Sequence, residues 1–385
     1  MSANAAPDGP EVGYDIPAAV GMDESDIVTP CLLIDLDAFE RNVAKMRDIC
    51  ADMGVRHRVH GKMHRSTDIA HYQIEHGDAC GVCCQKVSEA ETFARAGIKD
   101  ILITNQVRQP VMVDRLAKLP KLGSRIIVCL DDASNVEELS AAASRHGTEI
   151  EVLVEIDCGS RRCGVDAGWS AVELARAIDE APGLKFSGLQ AYHGSAQHIR
   201  TWDERREAIR KAIVQVRETV ALMESKGLRC PIIGGAGTGT YSFEGTSGIY
   251  NEIQAGSYAF MDADYQRILD KKDKPVAVFE NALFVLTSVM SHVRQGRAVC
   301  DAGLKAFTID SGMPVVLGHP EAEVLSSSDE HSVITDPGGM LRIHDKIRLI
   351  PGHCDPTCNL HDWYVGVRGG KVEVLWPVSA RGRGY

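Results

Sequence analysis

The N-terminus, MSANAAPDGPEVGYDIP, has neither the basic start nor the apolar stretch of a secretory signal, and no later run approaches the roughly 20 apolar residues of a spanning helix. A cytoplasmic chain with no membrane partner is expected. Positive charge is also in short supply, since 42 Lys and Arg stand against 53 Asp and Glu for a formal charge of −11. Nucleic acid and anionic membranes are held by clustered Lys and Arg that displace counterions, so the expected partner is a small molecule. The twelve cysteines lack the regular spacing of a secreted disulfide framework, and several sit in apolar runs such as CGVCC at 80–84. They are expected to be reduced.

What is present is enough material for a large core. With 385 residues, 44% of them hydrophobic, the chain can build two domains. From residue 31 onward, short β-rich runs alternate with amphipathic stretches, the mark of repeated βα units around a parallel sheet. CLLIDL (31–36) is followed by Phe39, Val43 and Met46 at helical spacing, then RHRVHGK (56–62) and a helix for which Ser66 is a candidate N-cap. Further strands are expected at GVCCQ (81–85), DILITNQ (100–106), RIIVCLDD (125–132), EVLVEID (151–157), KFSGLQAYHG (185–194) and PIIGGAGTG (231–239).

Eight such runs point to a (β/α)8 barrel, with an open doubly wound sheet as the alternative. In a barrel, Lys62, Gln85, Asp157, His193 and Gly237 fall at the C-terminal strand ends, where catalytic residues gather. After about residue 275 the pattern becomes β-rich runs separated by turns, which reads as a second, mostly antiparallel β domain. The expected division is a barrel over 25–270 and a β domain over 271–385, with residues 1–24 packing on the latter.

Several residues carry chemistry. A lysine partly desolvated in a barrel mouth has a lowered amine pKa, which suits Lys62 to condensation with an aldehyde cofactor, although a solvated loop lysine is the bland reading. GGAGTGTY (234–241) follows a strand end where barrels often cradle a phosphate with backbone N–H groups, and Thr238 and Thr240 offer hydroxyls. His353 and Asp355 are two residues apart, so in an extended segment both side chains point one way and can grip a cation such as Mn²⁺ or Mg²⁺. Cys354 and Cys358 leave open a thiolate site of zinc type. His193 and His198 are candidate bases near neutral pH.

TPCLLIDLDAFERNV (29–43), RVHGKMHRS (58–66), GVCCQKVSEAE (81–91), EIDCGSRRCGV (155–165), QAYHGSAQH (190–198), GGAGTGTY (234–241), NEIQAGSYAFMD (251–262) and PGHCDPTCNLHDW (351–363) occur in one order. In that order they resemble the D-threonine aldolase and D-serine dehydratase family of fold-type III pyridoxal-phosphate enzymes, over nearly the entire chain. The resemblance implies a homodimer that uses pyridoxal 5′-phosphate and a divalent metal to cleave D-β-hydroxy amino acids. The reactions it implies are D-3-hydroxyaspartate to glycine and glyoxylate, and D-threonine to glycine and acetaldehyde. It also implies that Lys62 carries the cofactor, and that Gln85, Arg162, Tyr192, Thr238, Gly239, Thr240, Gly256 and Ser257 surround it. By the same resemblance His198, from the QH pair, is the base and His353 with Asp355 is the metal pair of the aldolases, where the D-serine dehydratases more usually carry cysteine at the second position. Arg65 and Arg200 are candidates for a carboxylate on the departing aldehyde. The competing functions are a dehydratase with the same lysine and metal, and a noncatalytic carrier of the cofactor.

Overall fold

A computed structural model describes residues 9–385, which divide into two compact units. One takes in Val43–Tyr258, Tyr265–Val278 and Gly382–Tyr385. The other takes in the described residues up to Asn42, with Ala259–Asp264 and Phe279–Arg381.

The first unit is built on a parallel sheet of nine strands. In sheet order these are Arg56–His57, Glu252–Ile253, Ile232–Gly235, Leu184–Ala191, Ile150–Glu155, Arg125–Leu130, Asp100–Ile103, Val82–Cys84 and Val59–His60. The first and last are halves of one extended segment interrupted at Arg58, so the sheet comes round on itself through eight strand positions. Side chains alternate as a barrel requires. Cys83, Leu102, Ile127, Cys129, Leu153 and Ile232 form one buried cluster, while their strand neighbours Val82, Ile101, Ile126, Val128 and Val152 join the larger core that includes helix residues.

The second unit holds a mostly antiparallel sheet, also of nine strands. Its centre is Leu283–Arg294, Cys31–Asp35 and Trp363–Arg368, with Lys371–Pro377 beyond. Residues 21–23 run beside that last strand, with the Gly21 N–H donating to the Val372 carbonyl at 2.8 Å. Residues 1–8 of the expected N-terminal segment lie outside the described residues.

One strand departs from the sequence expectation. Cys31–Asp35 does not open the barrel. It pairs antiparallel with Leu283–Arg294 and parallel with Trp363–Arg368 in the second sheet. Its place in the barrel is taken by Glu252–Ile253, which pairs parallel with Ile232–Gly235 and Arg56–His57. A continuous apolar run fits the middle of either kind of sheet, and a two-residue strand has no period to detect. For the same reason the first unit begins at Val43 where the sequence placed the barrel's start near residue 25. Among the described residues, no helix is long and apolar enough to cross a membrane.

Candidate active site

The barrel's C-terminal strand ends collect most of the residues singled out from sequence. Lys62 follows Val59–His60, Gln85 follows Val82–Cys84, and Tyr192 follows Leu184–Ala191. Lys62 is half-buried. His60, on the strand leading to Lys62, has its Nε2 3.2 Å from Gln85 Nε2 and 3.3 Å from Thr104 Oγ1, while Gln85 Nε2 donates to Thr104 Oγ1 at 2.8 Å. Gly256 packs on the same histidine, because a Cβ there would lie 2.9 Å from His60 Cβ. Arg65 is committed elsewhere. Its guanidinium lies 2.8 Å from buried Glu89, which also accepts the N–H groups of Gln85 and Lys86 at the head of the helix Val87–Arg95.

Asp157 shapes the next loop by accepting the N–H groups of Gly159 and Arg161 at 2.9 and 3.0 Å. Arg161 is turned into the left-handed region at φ +51°, and Arg162 lies over the Tyr192 ring at 5.8 Å. Arg162 also reaches to 3.8 Å from Glu155, a buried carboxyl that accepts from Gln106 Nε2 at 2.6 Å. Burial raises the Glu155 pKa, against the pull of Gln106 and Arg162. The sequence reading had no place for Glu155 or Gln106. Their one signal was position at strand ends.

The glycine-rich loop is tightly determined. Its left-handed residue is Ala236, at φ +63°, a conformation that costs a residue with a Cβ on the order of 1 kcal/mol. Glycine is needed instead where Gln197 packs. A Cβ at 237 would meet Gln197 Oε1 at 2.6 Å, and one at 239 would meet the Gln197 carbonyl at 2.4 Å. The Gly239 N–H donates to Gln197 Oε1 at 3.0 Å, and Gln197 Nε2 donates to Thr240 Oγ1 at 2.8 Å. The expected donors Gly239 and Thr240 are therefore engaged inside the protein. Thr238 Oγ1 accepts the Tyr258 N–H at 3.0 Å, which brings its hydroxyl beside the Gly256–Ser257 turn. Thr238 and Gly239 line a cavity of about 480 Å³ with Arg205, Ser242 and Lys274. Arg205 is buried, and its hydrogen bonds go to the carbonyls of Ile199, Arg200, Thr201 and Leu269.

His198 ends the short turn Gly194–His198, exposed, with its ring 5.5 Å from that of Tyr265. His193 packs on Gly159, where a Cβ would come within 2.4 Å of its Nε2, and burial lowers its pKa despite Asp157.

In the second unit, His353 and Asp355 converge by a different route from the expected extended segment. His353 is the N-cap of the short helix Cys354–Cys358 and Asp355 lies in its first turn. His353 Nε2 is 3.9 Å from Asp355 Oδ1, and its Nδ1 is 2.7 Å from Asp310 Oδ2. Asp310 thus fixes the ring so that Nε2 faces Asp355. Burial opposes protonation of His353, but the carboxylates of Asp355, Asp310 and Asp262 outweigh it and raise the pKa. Among the described residues no group of three or more His, Cys, Asp or Glu is arranged to hold a metal, and the twelve cysteines are in no disulfide.

Residues 34–264 match the family model described as alanine racemase, N-terminal domain, and residues 282–367 match a putative serine dehydratase domain. The chain is 57% identical to a 3-hydroxy-D-aspartate aldolase of Paracoccus denitrificans (strain Pd 1222), covering all of both chains. It is 44% identical to a D-threonine aldolase of an Arthrobacter species, over 95% of this chain and 96% of the relative. The chain belongs to the alanine-racemase-like family, in its D-threonine aldolase branch. The crystal structure of D-threonine aldolase from Filomicrobium marinum superposes with a TM-score of 0.92 at 46% identity, over 96% of this chain and all of that one. Pyridoxal 5′-phosphate is this family's cofactor, and the barrel's donors fit it. They comprise a half-buried lysine, an arginine over a tyrosine ring, and a loop whose Thr238 hydroxyl borders the cavity beside the Gly256–Ser257 turn.

Proposed function

We propose that this chain is a pyridoxal-phosphate-dependent carbon–carbon lyase that cleaves D-3-hydroxyaspartate to glycine and glyoxylate and D-threonine to glycine and acetaldehyde. The observation that carries this reading is full-length similarity to aldolases, at 57% and 44% identity, together with Lys62, Gln85, Arg162 and Tyr192 at the barrel's strand ends.

In this reading the Lys62 amine holds the cofactor, with Gln85, Arg162 and Tyr192 about its ring. Thr238, Gly256 and Ser257 take its phosphate, while Gly239 and Thr240 keep the loop in shape. When bound, pyridoxal phosphate supplies an electron sink for the pair released from the Cα–Cβ bond. Arg162, the group that the resemblance places near the cofactor ring, would disfavour protonation of the pyridine nitrogen. His353 and Asp355 would hold a divalent cation, Mn²⁺ or Mg²⁺, which would supply Lewis acidity toward a hydroxyl. His198 accepts the β-hydroxyl proton as the aldehyde leaves. Arg65, paired with Glu89, and Arg200 are the two candidates for the glyoxylate carboxylate. The same reading makes the enzyme a cytoplasmic homodimer.

Chelation tests the division of labour. Exhaustive removal of divalent ions is expected to stop turnover and leave the visible band of the bound cofactor unchanged, whereas Lys62→Ala is expected to abolish that band. Full activity with no metal by elemental analysis would remove the role given to His353 and Asp355. A borohydride-trapped cofactor in the Lys62→Ala protein would remove that given to Lys62.

A further inference from the structure

A hydrogen-bonded chain runs beneath the glycine-rich loop. Gln197, one residue before His198 and 1% exposed, holds Gly239 and Thr240 through its two amide atoms. Thr240 passes the chain on, its hydroxyl donating to Glu244 Oε1 at 2.8 Å. Glu244 is also 1% exposed, and its Oε2 has no hydrogen-bond partner among the described residues.

The surroundings of Glu244 supply no counter-charge. The titratable groups that face it are Cys158 and Tyr250, both pushed up by burial, Cys158 to about 12. From the helix Trp202–Ser225, Arg205 lies over the Phe243 ring and Arg217 donates to the Ser247 carbonyl at 3.0 Å. On the neighbouring strand, Glu252 is engaged by Arg58 at 2.8 Å. From the helix that ends at Met53, the thioether of Met53 sits at Gly245. Burial pushes the Glu244 carboxyl up to about 8, so the acid form predominates at neutral pH.

We propose that Glu244, as an uncharged acid, is a positioning residue for the cofactor loop, and that its ionisation weakens the loop's hold on the cofactor's phosphate. In the acid form, Oε1 accepts from Thr240, Thr240 accepts from Gln197, and Gln197 fixes both Gly239 and the turn that carries His198. A carboxylate at the same place is a buried negative charge without a cation, below a loop that must take a dianion. The proposal rests on the assignment of Thr238, Gly256 and Ser257 to that phosphate.

The test compares pyridoxal with pyridoxal 5′-phosphate. Both meet the same lysine through an aldehyde, and the internal hemiacetal that pyridoxal alone forms in solution is the same for every protein variant, so the difference between variants in the ratio of dissociation constants reports on the phosphate. Full-chain enzyme loaded with either is brought to equilibrium by dialysis between pH 6.5 and 9.5. For the natural protein the preference for the phosphorylated form is expected to fall above about pH 8, by up to about tenfold per pH unit for a single ionisation. Glu244→Gln, which keeps the acceptor for Thr240, is expected to hold its neutral-pH ratio throughout. The same pH dependence in both proteins overturns the proposal. Should the variant not fold, the natural protein decides alone, since a ratio constant from pH 7 to 9.5 also overturns it. Thr238→Val checks the underlying assignment separately, because an unchanged ratio at pH 7 would mean that the loop does not hold the phosphate.

Discussion

A carboxyl buried without a cation has to be accommodated through its protonation state, and Glu244 makes the consequence for stability explicit. Its folded pKa of about 8 stands above the ordinary value of 4.5. Between those two values the folded chain keeps a proton that the unfolded chain has lost, so stability falls as pH rises through the window and the loss is complete above about 8. Glu244→Gln removes the titration. In calorimetry the variant is expected to match the natural protein near pH 4 and to melt higher at pH 8, where an unchanged difference at the two pH values would show that the carboxyl is not buried as its acid. Residues of this kind are the least legible in a sequence. Lys62 and Arg162 stand in motifs, but Gln197, Gln106 and Glu155 act through partners about 40 to 50 residues away, and Glu244 reaches the cofactor loop only through Thr240 and Gln197. The glycines at 237 and 239 were read as a cradle for phosphate, whereas the atoms nearest to them belong to Gln197.

At the scale of elements, the barrel's N-terminal face is fastened by ions. Arg58, fully buried between the two halves of the first strand, grips Glu252 with Nε and Nη2 at 2.8 and 3.1 Å and Asp100 with Nη1 at 2.5 Å. Asp100 is shared with Arg125, which in turn grips Glu151 at 2.8 and 2.5 Å. Every one of these groups sits at or next to the start of a strand, and the network ties the first strand segment to the short Glu252–Ile253 strand where few ladder bonds are available. Arg58→Met leaves buried Glu252 with only the half-exposed Arg56, 3.4 Å away, and is expected to cost up to about 3–5 kcal/mol. Adding Glu252→Leu is expected to recover most of that loss, as measured by thermal or urea unfolding, and a single variant as stable as the natural protein would show that the network does not hold the sheet together. The same region explains what sequence could reveal of the fold. Strands with four or more residues and a buried apolar run were placed correctly along the chain. Membership in a sheet was harder, because Cys31–Asp35 and the barrel strands share one pattern, buried on both faces, while Glu252–Ile253 is recruited by its neighbours and Arg58.

At the scale of the whole molecule, the question is which bond breaks. The chain matches a serine dehydratase domain model over 282–367, yet its full-length relatives at 57% and 44% identity are named as aldolases. A cation held by His353 and the hard carboxylate of Asp355 would keep a β-oxygen attached to carbon while lowering its pKa, which favours Cα–Cβ cleavage, whereas dehydration requires that oxygen to depart. The most direct measurement is chromatography of the products formed from D-3-hydroxyaspartate by the holoenzyme with Mn²⁺. Glycine and glyoxylate in equal amounts, with L-3-hydroxyaspartate untouched, is the result expected. Oxaloacetate and ammonia in their place would contradict the assignment as an aldolase.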